Sequence, residues 1–406
     1  MKVLFVNQSF WPDVAATAQH AHDLARALAR EGDEVTVITS RSIYGEAGGT
    51  LPRQETVDGI RIRRVTSALF GKAGLFARAV DFVVFGIAAA FRALLLPRQD
   101  VVVCLTTPPF IGLVGVLLKA LRGTRYVLWS MDLYPDVPVT AGVLREGSLA
   151  HRAFDAIERF CLRRADLVVV LGRCMQERVL AKGIDPARVR CINVWSDPAE
   201  LGTRPASQSP FRAEWGLGER FVVQYSGNFG IGHDLDAVAD AAVRLAGDRG
   251  IGWAVVGGGV LKRELESIVA ARGVGNVVFR PYQPRSRLGE LIALGDVHIV
   301  SVAPGFEGLL VPSKFYGVLA AGRPTIFIGS HGSEIARVID EEGCGIVVPN
   351  GDGAALAAAI VRLRDDPALA REMGERGRRA AERKYGTDSA CARWRAALVE
   401  VARRDR

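Results

Sequence analysis

Short runs of consecutive apolar residues recur along the whole chain, each followed by a segment with helical spacing. The first series is Val3 to Val6, Val35 to Thr39, Ile60 to Val65, Val101 to Leu105, Tyr126 to Ser130, Leu167 to Leu171 and Val189 to Val194. A second comprises Phe221 to Tyr225, Trp253 to Val256, Val277 to Arg280, Val297 to Ser301, Thr325 to Ile328 and Gly345 to Val348. Most of these runs are continuous rather than alternating, as expected of strands covered on both faces, and helices between them call for parallel sheets. Two series predict two Rossmann-like α/β domains, residues 1–195 and 211–385. Between them WSDPAELGTRPASQSP has the Pro, Ser and Gly content of a linker, taken as 196–210. The Arg-rich end, 386–406, reads as a separate helix. Ligands of such sheets bind where strands end, so the loops after the strands carry the chemistry.

Two helical segments are more apolar than sheet packing asks. In Leu75 to Pro97 the polar residues Arg78, Asp81 and Arg92 fall within about 60° of one another and most of the remaining circumference is apolar. Asp81 and Arg92 interrupt it well short of a spanning length. Phe110 to Arg122 is apolar except for Lys119 and Arg122. Each segment is either a buried flanking helix or an interfacial patch.

Charge and cysteine content narrow the setting. The formal net charge is +8 and the pI about 9.4, which suits nucleic acid, an anionic membrane or a phosphorylated substrate. No nucleic-acid motif or basic-aromatic strand face supports the first. The six cysteines are scattered without metal spacing and read as free thiols in a reducing cytosol. The first residues read as a strand rather than a signal peptide.

The most informative loop is Pro304 to Gly329, PGFEGLLVPSKFYGVLAAGRPTIFIG. It predicts a short helix with Ser313 as N-cap and Lys314 in its first turn, ended by Gly322 and Pro324. A cation there opposes the helix dipole unless an anion sits beside it, so the arrangement suggests a phosphate held by free N–H groups and Lys314. Phe315, Val318 and Leu319 should face the core, and Gly317 suggests close approach of a backbone or a ligand. After the first strand, Asn7 to Asp13 leads into a helix with Thr17 and Gln19 near its start. Asp132 ends the fifth strand in SMDLYPD, where it either orients or deprotonates an acceptor hydroxyl or caps a turn. Gly227 and Asn228 lie in YSGNFGIGHD, a glycine-rich turn able to approach a phosphate. Lys262 and Arg263 follow a second glycine cluster, and Tyr282 follows the third strand of the second series.

The run from Glu307 to Pro324, with the NQSFWPD…ATAQ opening and the DLYP loop, resembles family 4 glycosyltransferases. It is similar to the branch that builds bacterial surface polysaccharides, including the fucosamine transferase type, and the resemblance covers nearly the whole chain. It implies a GT-B fold with the donor nucleotide in the C-terminal domain, the acceptor in the N-terminal domain, the terminal helix 386–406 crossing back to the first domain, reaction in the cleft and retention of configuration. Glu307 would contact the donor sugar, Ser313 and Lys314 the diphosphate, and the loop of Tyr282 the base. Two departures stand out. Gly317 occupies the place of a ribose-binding glutamate, and Asn228 and His233 replace a phosphate-binding arginine and lysine. Cationic duty then shifts to Lys314, with Lys262 or Arg263 assisting. With no acidic pair placed to hold a divalent ion, no metal and no permanently bound cofactor are expected. The expected substrates are a nucleotide sugar, UDP-linked, and a glycan or polyprenyl-diphosphate-linked acceptor, met at the cytoplasmic face of an anionic membrane. Other readings are an epimerase or phosphorylase on the same fold, or a membrane-associated partner without catalysis.

Overall fold

Where every position of a short run is a branched or otherwise apolar residue, the strand has no solvent face, as in Val101-Val102-Val103-Cys104, buried throughout. The computed structural model describes residues 1–42, 50–66 and 75–404, with backbone alone for Leu75, Phe76 and Arg78. The chain forms two compact units, Met1–Asn193 with Asp388–Arg406, and Val194–Thr387.

Among the described residues the first unit holds β1 (Lys2–Val6), β2 (Glu34–Ser40), β3 (Gln54–Val57), β4 (Ile60–Val65), β5 (Val101–Cys104), β6 (Arg125–Ser130), β7 (Leu167–Val170) and β8 (Val189–Cys191). Their order is β3-β4-β2-β1-β5-β6-β7-β8, parallel except for β3 against β4. β3, QETV, was not anticipated, because a half-exposed edge strand has no need of an apolar run. The helices that matter here are α1 (Ala16–Arg30), α2 (Leu75–Leu94), α3 (Gly112–Arg122) and α4 (Leu149–Arg164). Gly112 and Gly115 set α3 tightly on β6: a Cβ at either would come within 2.3 Å of the Tyr126 side chain. The terminal helix, Thr387–Arg403, packs here too, with Trp394 against Trp129 at 4.5 Å between ring centroids. Both rings are fully buried.

α2 carries an apolar stripe on its outer side and a carboxylate on its inner side. Its inward stripe is Ala77, Asp81, Phe85, Ala89 and Ala93, so the carboxylate lies inside. Val83, Ile87, Phe91 and Leu95 point outward, each at least 60% exposed. Among the described residues no helix is long and apolar enough to cross a membrane.

The second unit has β9 (Phe221–Asn228), β10 (Ile251–Gly258), β11 (Val277–Arg280), β12 (Val297–Ser301), β13 (Thr325–Ile328) and β14 (Gly345–Val348), in the order β11-β10-β9-β12-β13-β14 and parallel throughout. Helices α5 (Asp236–Arg244), α6 (Val260–Ala271), α7 (Lys314–Ala320) and α8 (Gly353–Asp365) lie against the sheet or its edges. The strand order reverses between β9 and β12, which opens a crevice at their carboxyl ends. The stretch 196–210 is packed on this unit: Ser196 bridges to Gly386, Pro198–Leu201 is helical, and Ser209 Oγ donates to the Glu290 carbonyl.

The glycine-rich turn expected after Tyr225 begins later than its glycines suggest: β9 runs through Asn228, and the turn follows over 229–235. Gly227 pairs with Gly257, and a Cβ on Gly257 would lie 2.0 Å from the Gly227 carbonyl oxygen. Both residues have φ in the left-handed half of the map, +124° and +132°. Here glycine is required by the approach of two strands at the crevice rim.

Candidate active site

α7 begins beside the carboxyl end of β9, and its first residue supplies the central group. Phe315, Val318 and Leu319 are buried as their spacing requires, and Gly322 at φ +67° turns the chain out. Lys314 extends over the neighbouring strand, so that its Nζ stands 3.8 Å from the centroid of the Tyr225 ring on β9. This nitrogen is shut off from solvent and, among the described residues, has no hydrogen-bond partner. Desolvation lowers the lysine to about 7, because nothing nearby repays the loss of water. The Tyr225 hydroxyl is committed to Ser301 Oγ at 2.9 Å, and burial pushes its pKa up. His233 meets the Tyr225 ring edge-on, and its Nδ1 lies 2.9 Å from the Ser301 carbonyl oxygen. Burial first, and then Lys314, hold this imidazole down to about 3, so it is neutral.

The residues picked out from sequence divide into two sets. Gly227 adjoins Lys314, with its Cβ position 3.6 Å from the lysine Cδ, and Asn228 is exposed at the end of the same strand. Glu307 is half-buried in the turn that bridges to Leu310, just before α7. Ser313 is where it was expected, but it is already helical (φ −60°, ψ −28°) and its hydroxyl caps nothing, so the N-cap reading is corrected. Gly317 has no backbone against it; the nearest atoms to a Cβ there are Ile292 Cδ1 at 3.5 Å and Ser196 Oγ at 3.9 Å. Lys262 is occupied elsewhere, donating to the carbonyls of Gly257 at 2.9 Å and Arg280 at 2.7 Å, so it ties β10 to β11. Arg263 is exposed on α6. Tyr282 stands exposed beside Gly258, with its hydroxyl 3.4 Å from the Gly258 carbonyl oxygen.

Tyr225, Ser301 and His298 had not been singled out. An aromatic or a small polar residue within an apolar run reads as core, and only the pairing of β9 with β12 reveals that Tyr225 underlies the lysine. A cavity of about 430 Å³ opens beside His233, but Asp234, Asp236 and Glu264 line it. Those carboxylates repel a phosphate, which leaves Lys314 as the candidate anion-binding group. Among the described residues no group of three or more His, Cys, Asp or Glu side chains gathers as a metal site requires.

In the first unit Asp132 follows β6 as expected, with its N–H 3.3 Å from Thr106 Oγ1. Burial pushes its carboxyl up to about 6.

Two parallel-sheet α/β units of this kind have the GT-B architecture of the glycosyltransferases. The chain belongs to the glycosyltransferases of family 4-like and group 1 type: the model described as "Glycosyl transferase 4-like domain" matches residues 16–195, and that described as "Glycosyl transferases group 1" matches residues 220–366. It is 31% identical to WbjE of Pseudomonas aeruginosa, described as a probable glycosyltransferase, over 68% of this chain and 70% of that one. With WcaI of Escherichia coli K12, described as a "Putative colanic acid biosynthesis glycosyl transferase", it shares 26% identity over 93% of this chain and 96% of the other. Among solved structures, sucrose-phosphate synthase from Thermosynechococcus elongatus superposes with a TM-score of 0.79 at 19% identity, covering 99% of each chain. Anabaena HepE in complex with UDP and glucose gives 0.74 at 16% identity, covering 98% of this chain and 100% of that one.

Proposed function

We propose that the chain transfers a sugar, with retention of anomeric configuration, from a UDP-sugar to a glycan or polyprenyl-diphosphate-linked acceptor in surface-polysaccharide assembly. The observation that carries this reading is Lys314 Nζ, a buried nitrogen without an acceptor at the switch point of the second sheet. A desolvated cation demands an anion, and a diphosphate supplies one. The same contact meets the charge that develops on departing UDP, so turnover persists in EDTA. Glu307 serves the donor sugar, Gly227 and Ser313 adjoin the phosphates, and Tyr282 adjoins the base. The polysaccharide setting is supported by the description of WcaI, and the choice of UDP by its presence in HepE.

On the acceptor side, Asp132 orients or deprotonates the attacking hydroxyl. With its carboxyl raised to about 6, it is largely ionised at neutral pH and retains basicity. A polyprenyl acceptor is reached from an anionic membrane surface through the outward apolar stripe of α2, helped by Arg92.

The test is calorimetric titration of UDP into wild type and Lys314→Ala. Loss of one charge-assisted contact costs about 1.5–3 kcal/mol, a roughly ten- to hundredfold weaker Kd. Equal affinity in a folded variant would remove Lys314 from the site and with it this assignment.

A further inference from the structure

The surroundings of Lys314 bear on what accompanies the ligand into the site. Nζ is buried, lacks a hydrogen-bond acceptor, and rests on an aromatic face. The ring attracts a cation only weakly compared with a carboxylate or water. The titratable groups around it give no relief. Tyr225 of β9 turns its hydroxyl to Ser301. His233 after β9 and His298 on β12 are both held down to about 3 by burial, and are therefore neutral. Asp234, beside Tyr225, is taken by Asn350 Nδ2 at 3.1 Å and the Gly351 N–H at 2.8 Å. Arg323 adds positive potential at the same His298. On α7 itself Lys314 is the sole charged residue. Meanwhile Gly227 places no side chain over the lysine stem, which leaves that flank open to a ligand.

We infer that the diphosphate binds together with one proton: the empty site holds Lys314 as the neutral amine, and the filled site holds it as the ammonium. The proton comes from a buffer acid, whose conjugate base is released as the N–H bond forms. This rests on the UDP reading above. An ammonium without an acceptor pays its full desolvation, whereas one paired with phosphate oxygens does not. The lowered basicity of Lys314 agrees in direction and sets the range in which the effect is visible, above about pH 7.

The experiment is calorimetry of UDP binding to the full chain at pH 8 in Tris and in HEPES, which differ in ionisation enthalpy. Wild type should show a buffer-dependent enthalpy corresponding to uptake of close to one proton per UDP. Lys314→Arg, which stays protonated, should bind UDP with a slope smaller by about that amount. Any protonation of the UDP phosphate is common to both proteins and cancels. A second readout needs no variant: the wild-type Kd should weaken about tenfold between pH 8 and 9, above the range in which the UDP phosphate itself titrates. Equal slopes in the two proteins, or a Kd constant over that range, would overturn the inference while leaving UDP as the ligand. No UDP binding at any pH would instead fell the donor reading itself, and this inference with it.

Discussion

A buried amine that waits for an anion is a liability while the anion is away. Burial lowers Lys314 from an ordinary 10.5 to about 7 in the folded chain, so folding favours its neutral form. The sign follows from linkage: below pH 7 the unfolded and folded chains are both protonated and the whole burial penalty is present; between 7 and 10.5 it fades. Lys314→Met, which keeps the stem and removes the nitrogen, should therefore stabilise the empty protein at pH 7 by about 2–4 kcal/mol. The gain should shrink as the pH approaches 10. Urea titrations of the two proteins at pH 7 and 10 check this, and equal stability at pH 7 would mean that water reaches the nitrogen. The lysine was legible in the sequence because a cation at a helix start contradicts the dipole. Its partner Tyr225 was not, since an aromatic residue in an apolar run has an ordinary explanation in packing. Ser313 shows the converse error: a favoured N-cap residue in the right place forms no cap once its own backbone is helical.

At the scale of the element, periodicity gives the angular spread of a helix's apolar residues but not which arc faces inward. The sequence of α2 showed an arc too wide for one contact. That arc leaves the inward side open; in the structure Asp81 is buried and the inward stripe is mostly alanine. Small residues let the helix lie close to the sheet, and the bulkier Val83, Ile87, Phe91 and Leu95 are left outside. Exposed apolar groups at four-residue spacing mark an interaction surface. Val83→Ser/Ile87→Ser/Phe91→Ser should leave the melting temperature nearly unchanged and abolish co-sedimentation with vesicles containing anionic lipid at low salt. A large loss of stability would show instead that the face is core. The strands were the most legible elements, β4, β11, β12, β13 and β14 falling where their runs predicted. β9 and β10 ran long because paired glycines let backbones approach beyond the apolar segment.

Over the whole molecule the two series of runs foretold two units, and the family resemblance foretold that the last helix returns to the first unit. The terminal helix belongs to the first unit, where Trp394 fills space against Trp129 and Arg395 Nε lies 3.2 Å from Asp33, the residue that also receives the N-terminal ammonium at 2.7 Å. Deleting residues 388–406 should cost that unit about 3–5 kcal/mol through the lost tryptophan alone. In calorimetric scans the transition that UDP shifts should stay in place while the other falls; lowering of both would mean that the units do not unfold independently. The second unit is thus an insertion within the first, and this bears on synthesis. Domains ordinarily fold in the order in which they leave the ribosome. Here residues 194–387 emerge complete while the earlier sheet still lacks its closing helix and Trp129 stays bare. The half of the protein that is made first is the half that finishes last.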